Sequence, residues 1–372
     1  MPTLYHHKHG GASLDHKSTV LDFSVNISPL MPPIGNLSLN DFALQAYPSI
    51  DGKGINDFYT SRFGLERSMV LPLNGAVEGI YLLPRALGLR HVVTLSPSFY
   101  EYERASLIAG ATIATVPLVS SNRFQLPSIE RLAEELQEAD AFIVGNPNNP
   151  TGTEVAPEII MALASRFPFT WFIVDEAFLQ FTPAFPDNSL MQKVKALQNV
   201  IVVHSLTKFY TLPGLRLGAL IAHPDVIERL LYYKEPWTVN TIAESVARRL
   251  ADCGDYEEEL RVMIASERER ITSLFAGSGD IRLAGGAANF FLAQWVGGCS
   301  LDVLMAQLAQ RNISIRDCRN FAGLEENYFR FALRTPAEND RLLAELLPAT
   351  CASEATLRTQ PFQRNFTHPP FH

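Results

Sequence analysis

A chain of 372 residues with 47% hydrophobic and 19% charged side chains is long enough to bury a sizeable core, and implies one large domain plus a smaller one. A net charge of −8 without any Lys/Arg cluster excludes nucleic acid and anionic membrane surfaces as partners. No apolar run approaches the roughly 20 residues of a membrane span, and the opening MPTLYHHKHGG reads as no signal peptide.

Residues 70–222 alternate β-rich runs with helical stretches. Strands are expected at HVVTL (91–95), TIATVPL (112–118), AFIVG (141–145), WFIVD (171–175), VIVVHS (200–205) and LGALIA (217–222). Between them EGIYLLPRALGL, SIERLAEELQEA, PEIIMALASRF and SLMQKVKALQ carry apolar residues at helical spacing. Apolar strands separated by helices predict a mainly parallel sheet covered on both faces. Ligands of such α/β folds sit beyond the carboxyl ends of the strands, where Asn149, Asp175 and Lys208 fall.

A helical region over 224–275 is broken near KEPWTVN by Pro236. Residues 280–348 read as a smaller α/β unit, with strands near NFFLAQW, ISIRD and YFRFAL and a last helix AENDRLLAELL. Segment 1–35 is too short to fold alone and is expected to pack against that unit. The expected division is a large domain over 36–255, a small domain of 1–35 plus 256–348, and an aperiodic tail over 349–372. Four scattered cysteines, Cys253, Cys299, Cys318 and Cys351, fit free thiols in a reducing cytoplasm. They lack metal-ligand spacing, and His6, His7 and His9 have no matching ligands, so no metal site is expected.

The chemistry concentrates around Lys208. Its amine could condense with an aldehyde if desolvation lowers its pKa. Ser205, Thr207 and Arg216 could hold a phosphate, as could the amides of NGAVEG (74–79) where a helix begins. Asp175, closing an apolar strand, would carry a costly charge unless it met a cation, and a protonated pyridine nitrogen is one. Aldehyde, phosphate and pyridinium together describe pyridoxal 5′-phosphate.

NPNNPTG (146–152), VDEAF (174–178) and SLTKFYTLPGLRLG (205–218), in that order, resemble the fold-type I pyridoxal-phosphate enzymes of the aminotransferase class I/II group. HGG (9–11), LDFSVNISPL (21–30), PWTVN (236–240) and YFRFALRTPAENDRLL (328–343) bring the resemblance closer to the threonine-phosphate decarboxylases of cobalamin biosynthesis, relatives of the histidinol-phosphate aminotransferases. The resemblance implies the aspartate aminotransferase-type α/β fold and a homodimer with shared active sites.

It also implies roles. Lys208 would hold the cofactor aldehyde and move protons, and Asp175 would pair with the ring nitrogen. Asn149 would hydrogen-bond the phenolic oxygen, with Phe99 and Ala177 against the two ring faces. Gly75, Ala76, Val77, Ser205, Thr207 and Arg216 would cradle the phosphate, and Tyr47 would reach the phosphate of a neighbouring subunit. His9, Gly10, Asn26, Asn149, Arg316 and Arg330 would meet a small phosphorylated amino acid, with Arg334 close by. Arg330 and Arg334 alternate onto one strand face, and Arg330 opens the family's pattern RFAL.

Decarboxylation is the leading expectation, because Phe178 stands where many aminotransferases of the group have a tyrosine. A histidinol-phosphate-type aminotransferase is the alternative of the same fold. A regulatory protein that binds the cofactor without catalysis is the alternative from another class.

Overall fold

The computed structural model describes residues 10–11, 20–324 and 327–347. His6, His7, His9, Cys351 and the expected tail lie outside the described residues. In chain order, the first strand is β1 (Leu21–Asp22). A seven-stranded sheet follows, built from β2 (Val70–Asn74), β3 (His91–Ser96), β4 (Thr112–Pro117), β5 (Ala141–Gly145), β6 (Trp171–Asp175), β7 (Val200–Ser205) and β8 (Leu217–Ala222). Then come β9 (Ile281–Gly285), β10 (Phe290–Trp295), β11 (Ile313–Ser314), β12 (Arg316–Asp317) and β13 (Tyr328–Ala332).

The large sheet runs in the spatial order β2-β8-β7-β6-β5-β3-β4. Only β8 opposes the others, pairing antiparallel with both β2 and β7. Strand side chains alternate between two cores. Val144, Phe172, Val174, Val200 and Val202 enter one core, whereas Ile143, Ile173, Ile201 and Val203 enter the other. Both faces are therefore buried, which is why these strands read as unbroken apolar runs.

Two observed features differ from the sequence expectation. SLMQKVKALQ is not a helix; only the 3-10 turn Val194–Ala196 forms there. The buried Glu176 accepts the Ser189 hydroxyl and the Leu190 N–H (2.9 Å), which holds the segment's start in a turn. The thiols are not all free either: Cys299 is disulfide-bonded, while Cys253 and Cys318 are free and buried.

The second sheet is antiparallel, ordered β12-β13-β10-β9. The segment from Val20 to Ile34 makes contact with the second sheet and with the turn that follows β7. β1 pairs with β11, Phe23 O accepts the Ala332 N–H (2.9 Å), and the Ser28 N–H donates to Lys208 O (2.9 Å). This segment ties β13 of the second sheet to the turn that carries Lys208. Among the described residues, no helix is long and apolar enough to cross a membrane, and no group of three or more His, Cys, Asp or Glu could hold a metal ion.

Candidate active site

The ends of β5, β6 and β7 lie side by side, with Gly145 opposite Asp175 and Asp175 opposite Val203. Beyond them opens a cavity of about 160 Å³ lined by Asn149, Asp175, Ala177, Ser205, Thr207 and Lys208. Phe99, Phe178 and Arg216 complete its wall, together with Ala76 and Val77.

Each side chain is delivered by a local device. β7 stops at Ser205, and the single helical turn Leu206–Phe209 swings Lys208 over the strand ends. The Thr207 hydroxyl fastens that turn by donating to Leu217 O on β8 (3.1 Å). Opposite, Gly75 adopts φ 79° between β2 and the helix Ala76–Leu87, a conformation that favours glycine. A Cβ there would stand 2.4 Å from Arg216 Nη2, so the missing side chain admits the guanidinium to the helix start. The unpaired N–H groups of a helix's first turn and an arginine fork form an anion cradle.

Asp175 is 7% exposed, and burial raises its pKa. The Tyr102 hydroxyl on Oδ2 (2.8 Å), the Ala177 N–H on Oδ1 (3.0 Å) and the nearby Lys208 oppose that rise. Lys208 opens onto the cavity yet lies deep, and its pKa falls to about 8. Burial is the main cause; Arg330 and Arg216 add to it, and Asp175 acts against it. Only the neutral amine attacks a carbonyl. The rate at which the apoprotein captures an aldehyde is therefore expected to climb as pH rises toward about 8, then level off. Stopped-flow absorbance across pH 6–10 (about two units either side of that value) checks the prediction.

Two further arginines come from the antiparallel sheet. Arg316 and Arg330 are paired directly across β12 and β13, and both are buried. Arg330 Nη1 donates to Asn149 Oδ1 and Nη2 to Ser24 O (2.9 Å), with the guanidinium 5.6 Å from the Phe290 ring centroid. Among the described residues Arg330 has no carboxylate partner. Burial lowers its pKa to about 10. Arg334 behaves differently: it lies past the end of β13 and pairs with Glu338 of the last helix (2.9 Å). Gly10 packs on Ser24, where an added Cβ would meet Ser24 O at 2.3 Å. Asn26 is 2% exposed, and neither its Oδ1 nor its Nδ2 has a partner among the described residues.

Arg330 reaches the cavity wall through Asn149, Arg316 donates instead to Asp317 O (2.6 Å) and Asn320 Oδ1 (3.0 Å), and most of the residues singled out for the cofactor line the cavity. Tyr47 does not: it is 85% exposed, with its ring 5.4 Å from that of Trp237. Tyr102 was not singled out. Its signal was the spacing from Phe99, three positions that place both rings on one side of a helical turn; the two meet edge to face at 5.5 Å.

With this geometry in view, the comparisons are informative. The model of the family "Aminotransferase class I and II" matches residues 45–346. The chain is 30% identical over 362 residues to the threonine-phosphate decarboxylase of Salmonella typhimurium, covering 92% of this chain and 96% of that one. Among solved structures, the histidinol-phosphate aminotransferase from Clostridium acetobutylicum is similar with a TM-score of 0.80 and 27% identity, over 88% of this chain and 98% of the other. The L-threonine-O-3-phosphate decarboxylase from Porphyromonas gingivalis is similar with a TM-score of 0.71 and 26% identity, over 82% and 90%. The chain belongs to the aminotransferase class I and II family and is a pyridoxal-phosphate-dependent enzyme.

Proposed function

We propose that this enzyme decarboxylates an O-phosphorylated amino acid of the threonine phosphate type, yielding (R)-1-amino-2-propanol phosphate for the nucleotide loop of cobalamin. The observation that carries the reading is the buried Arg330, which donates to Asn149 of the cavity wall and has no carboxylate partner among the described residues. A buried guanidinium without a carboxylate partner is costly unless an anion compensates it. Arginine forks bind carboxylate and phosphate in two-point fashion, and a phosphorylated amino acid carries both groups. The name of the Salmonella typhimurium relative agrees with that substrate.

The residues present fit the cofactor. Asp175 would meet the ring nitrogen, Asn149 the phenolic oxygen, and Phe99 and Ala177 the ring faces. The Ala76 and Val77 amides would take the phosphate with Ser205, Thr207 and Arg216, in the cradle that the glycine at position 75 leaves open. When bound, the cofactor supplies an electron sink for the Cα bond that stands perpendicular to its ring.

Everything else falls to the chain. Lys208 offers a neutral amine near pH 8 and, once released, holds the proton that its Nζ delivers to Cα after carbon dioxide has left. Arg330, steadied by Asn149 and Ser24 O, fixes the substrate's orientation and hence which bond is broken. Asn26 offers a buried amide with its hydrogen-bonding capacity unspent. Tyr47 would serve a neighbouring subunit of a homodimer, in keeping with its exposure here.

The similarity to the Clostridium acetobutylicum aminotransferase keeps a second reading in play, transamination of histidinol phosphate. Incubation with threonine phosphate and no keto acid separates the two. Carbon dioxide and the amino-alcohol phosphate are expected in equal amounts. Turnover only in the presence of 2-oxoglutarate, without gas release, would establish the aminotransferase instead.

A further inference from the structure

We propose that Tyr102 is a positioning residue for the cofactor ring, holding the Asp175 carboxylate in place and in its charged form through the hydroxyl bond to Oδ2. This rests on the reading that Asp175 meets the ring nitrogen. Three observations carry it.

The bond is direct, 2.8 Å, between two groups that are 3% and 7% exposed. The two oxygens of Asp175 each hold one donor, Tyr102 on Oδ2 and the Ala177 N–H on Oδ1. That fixes the plane of the carboxylate while leaving each oxygen a further acceptor site.

Room for the hydroxyl is built into the sheet. Gly145 lies opposite Asp175 in register on β5, and a Cβ at Gly145 would stand 3.1 Å from Tyr102 Oη. Any larger residue would crowd the approach.

The same side chain reaches Phe99, the residue set against a face of the ring. Tyr102 meets Phe99 edge to face at 5.5 Å and 82°, so one residue braces both a wall of the cavity and the carboxylate. A tyrosine whose hydroxyl only filled its own hydrogen-bonding need would not have to be aimed at this oxygen.

The chemistry has a definite sign. An O–H donated to a carboxylate favours its charged form. With the cofactor bound, Asp175 would share one proton with the ring nitrogen, and the Tyr102 donor, which favours the charged carboxylate, would bias that proton toward nitrogen. Removing the donor moves the proton toward Asp175.

The test loads wild type, Asp175→Asn and Tyr102→Phe with cofactor labelled with ¹⁵N at the ring nitrogen and compares the nitrogen resonances. The resonance is expected to move toward that of a neutral pyridine in Asp175→Asn, and in the same direction by less in Tyr102→Phe. Gly145→Ala, which keeps the tyrosine but crowds its hydroxyl, is expected to follow Tyr102→Phe and decides the matter if that protein does not fold. A wild-type resonance in both variants, with Asp175→Asn shifted, overturns the role of Tyr102. An unshifted resonance in Asp175→Asn overturns the assignment of Asp175 itself, and this proposal with it.

Discussion

Lys208→Ala is expected to lower turnover by at least about 10⁴-fold, the scale set by losing a positioned nucleophile and proton carrier. The protein should remain folded. Lys208 has no ion pair among the described residues; deletion relieves repulsion from Arg330 and Arg216 and gives up the attraction to Asp175, which keeps its Tyr102 and Ala177 donors. The contact that its backbone makes, Ser28 N–H to Lys208 O, does not depend on the side chain. Calorimetry of the apoprotein should place the thermal midpoint within about 2 °C of wild type, a change of roughly 1 kcal/mol. A collapse of the fold together with the activity would make Lys208 a structural residue.

Arg330→Met is expected to lower kcat/KM for threonine phosphate by about 10²-fold. The figure follows from losing hydrogen bonds to a charged group, about 1.5–3 kcal/mol, with about 1.4 kcal/mol for each factor of ten. Methionine fills much of the arginine's volume, so the Phe290 ring keeps a neighbour. Arg330→Lys should rescue little, because an ammonium cannot reproduce the fork that spans Asn149 and Ser24. The same substitution by methionine has a second signature. Arg330 holds the Lys208 pKa down, so without it that pKa rises above about 8 and the pH profile of aldehyde capture shifts to the alkaline side. Steady-state kinetics and the pH profile read the two effects separately. Unchanged kcat/KM in Arg330→Met would remove this arginine from the substrate site.

How much of this was legible in the sequence depended on burial. β5, β6, β7 and β8 begin and end as expected, because strands covered on both faces are apolar throughout and stop where the polar residues Asp175 and Ser205 or the turn after Ala222 begin. β2 went unseen. Its sequence VLPLN carries Pro72, which argues against an interior strand, and the sheet accommodates it by placing β2 at the edge. β9 was also missed: beyond Ile281 it is exposed or only partly buried, so it lacks an apolar run.

The site was legible where chemistry, not spacing, identified a residue. Asp175 and Lys208 could be recognised as a carboxylate and an amine at the ends of apolar strands, and they do line one cavity. Arg334 misled because alternation along a strand was extended past the strand's end; two residues beyond Ala332 the chain turns toward Glu338. Spacing could pair Tyr102 with Phe99 but not with Asp175, since that bond depends on Gly145 of another strand leaving space for the hydroxyl. Such a contact is a property of the packed sheet, not of any local pattern.

The central claim is a covalent bond between one amine and one aldehyde, and chemical trapping tests it most directly. The purified enzyme, saturated with pyridoxal 5′-phosphate, is reduced with borohydride, digested and sequenced by mass spectrometry. The account predicts a pyridoxyl adduct on the Nζ of Lys208 in the peptide containing SLTKFYTL. An adduct confined to other lysines, or none under saturation, would contradict it.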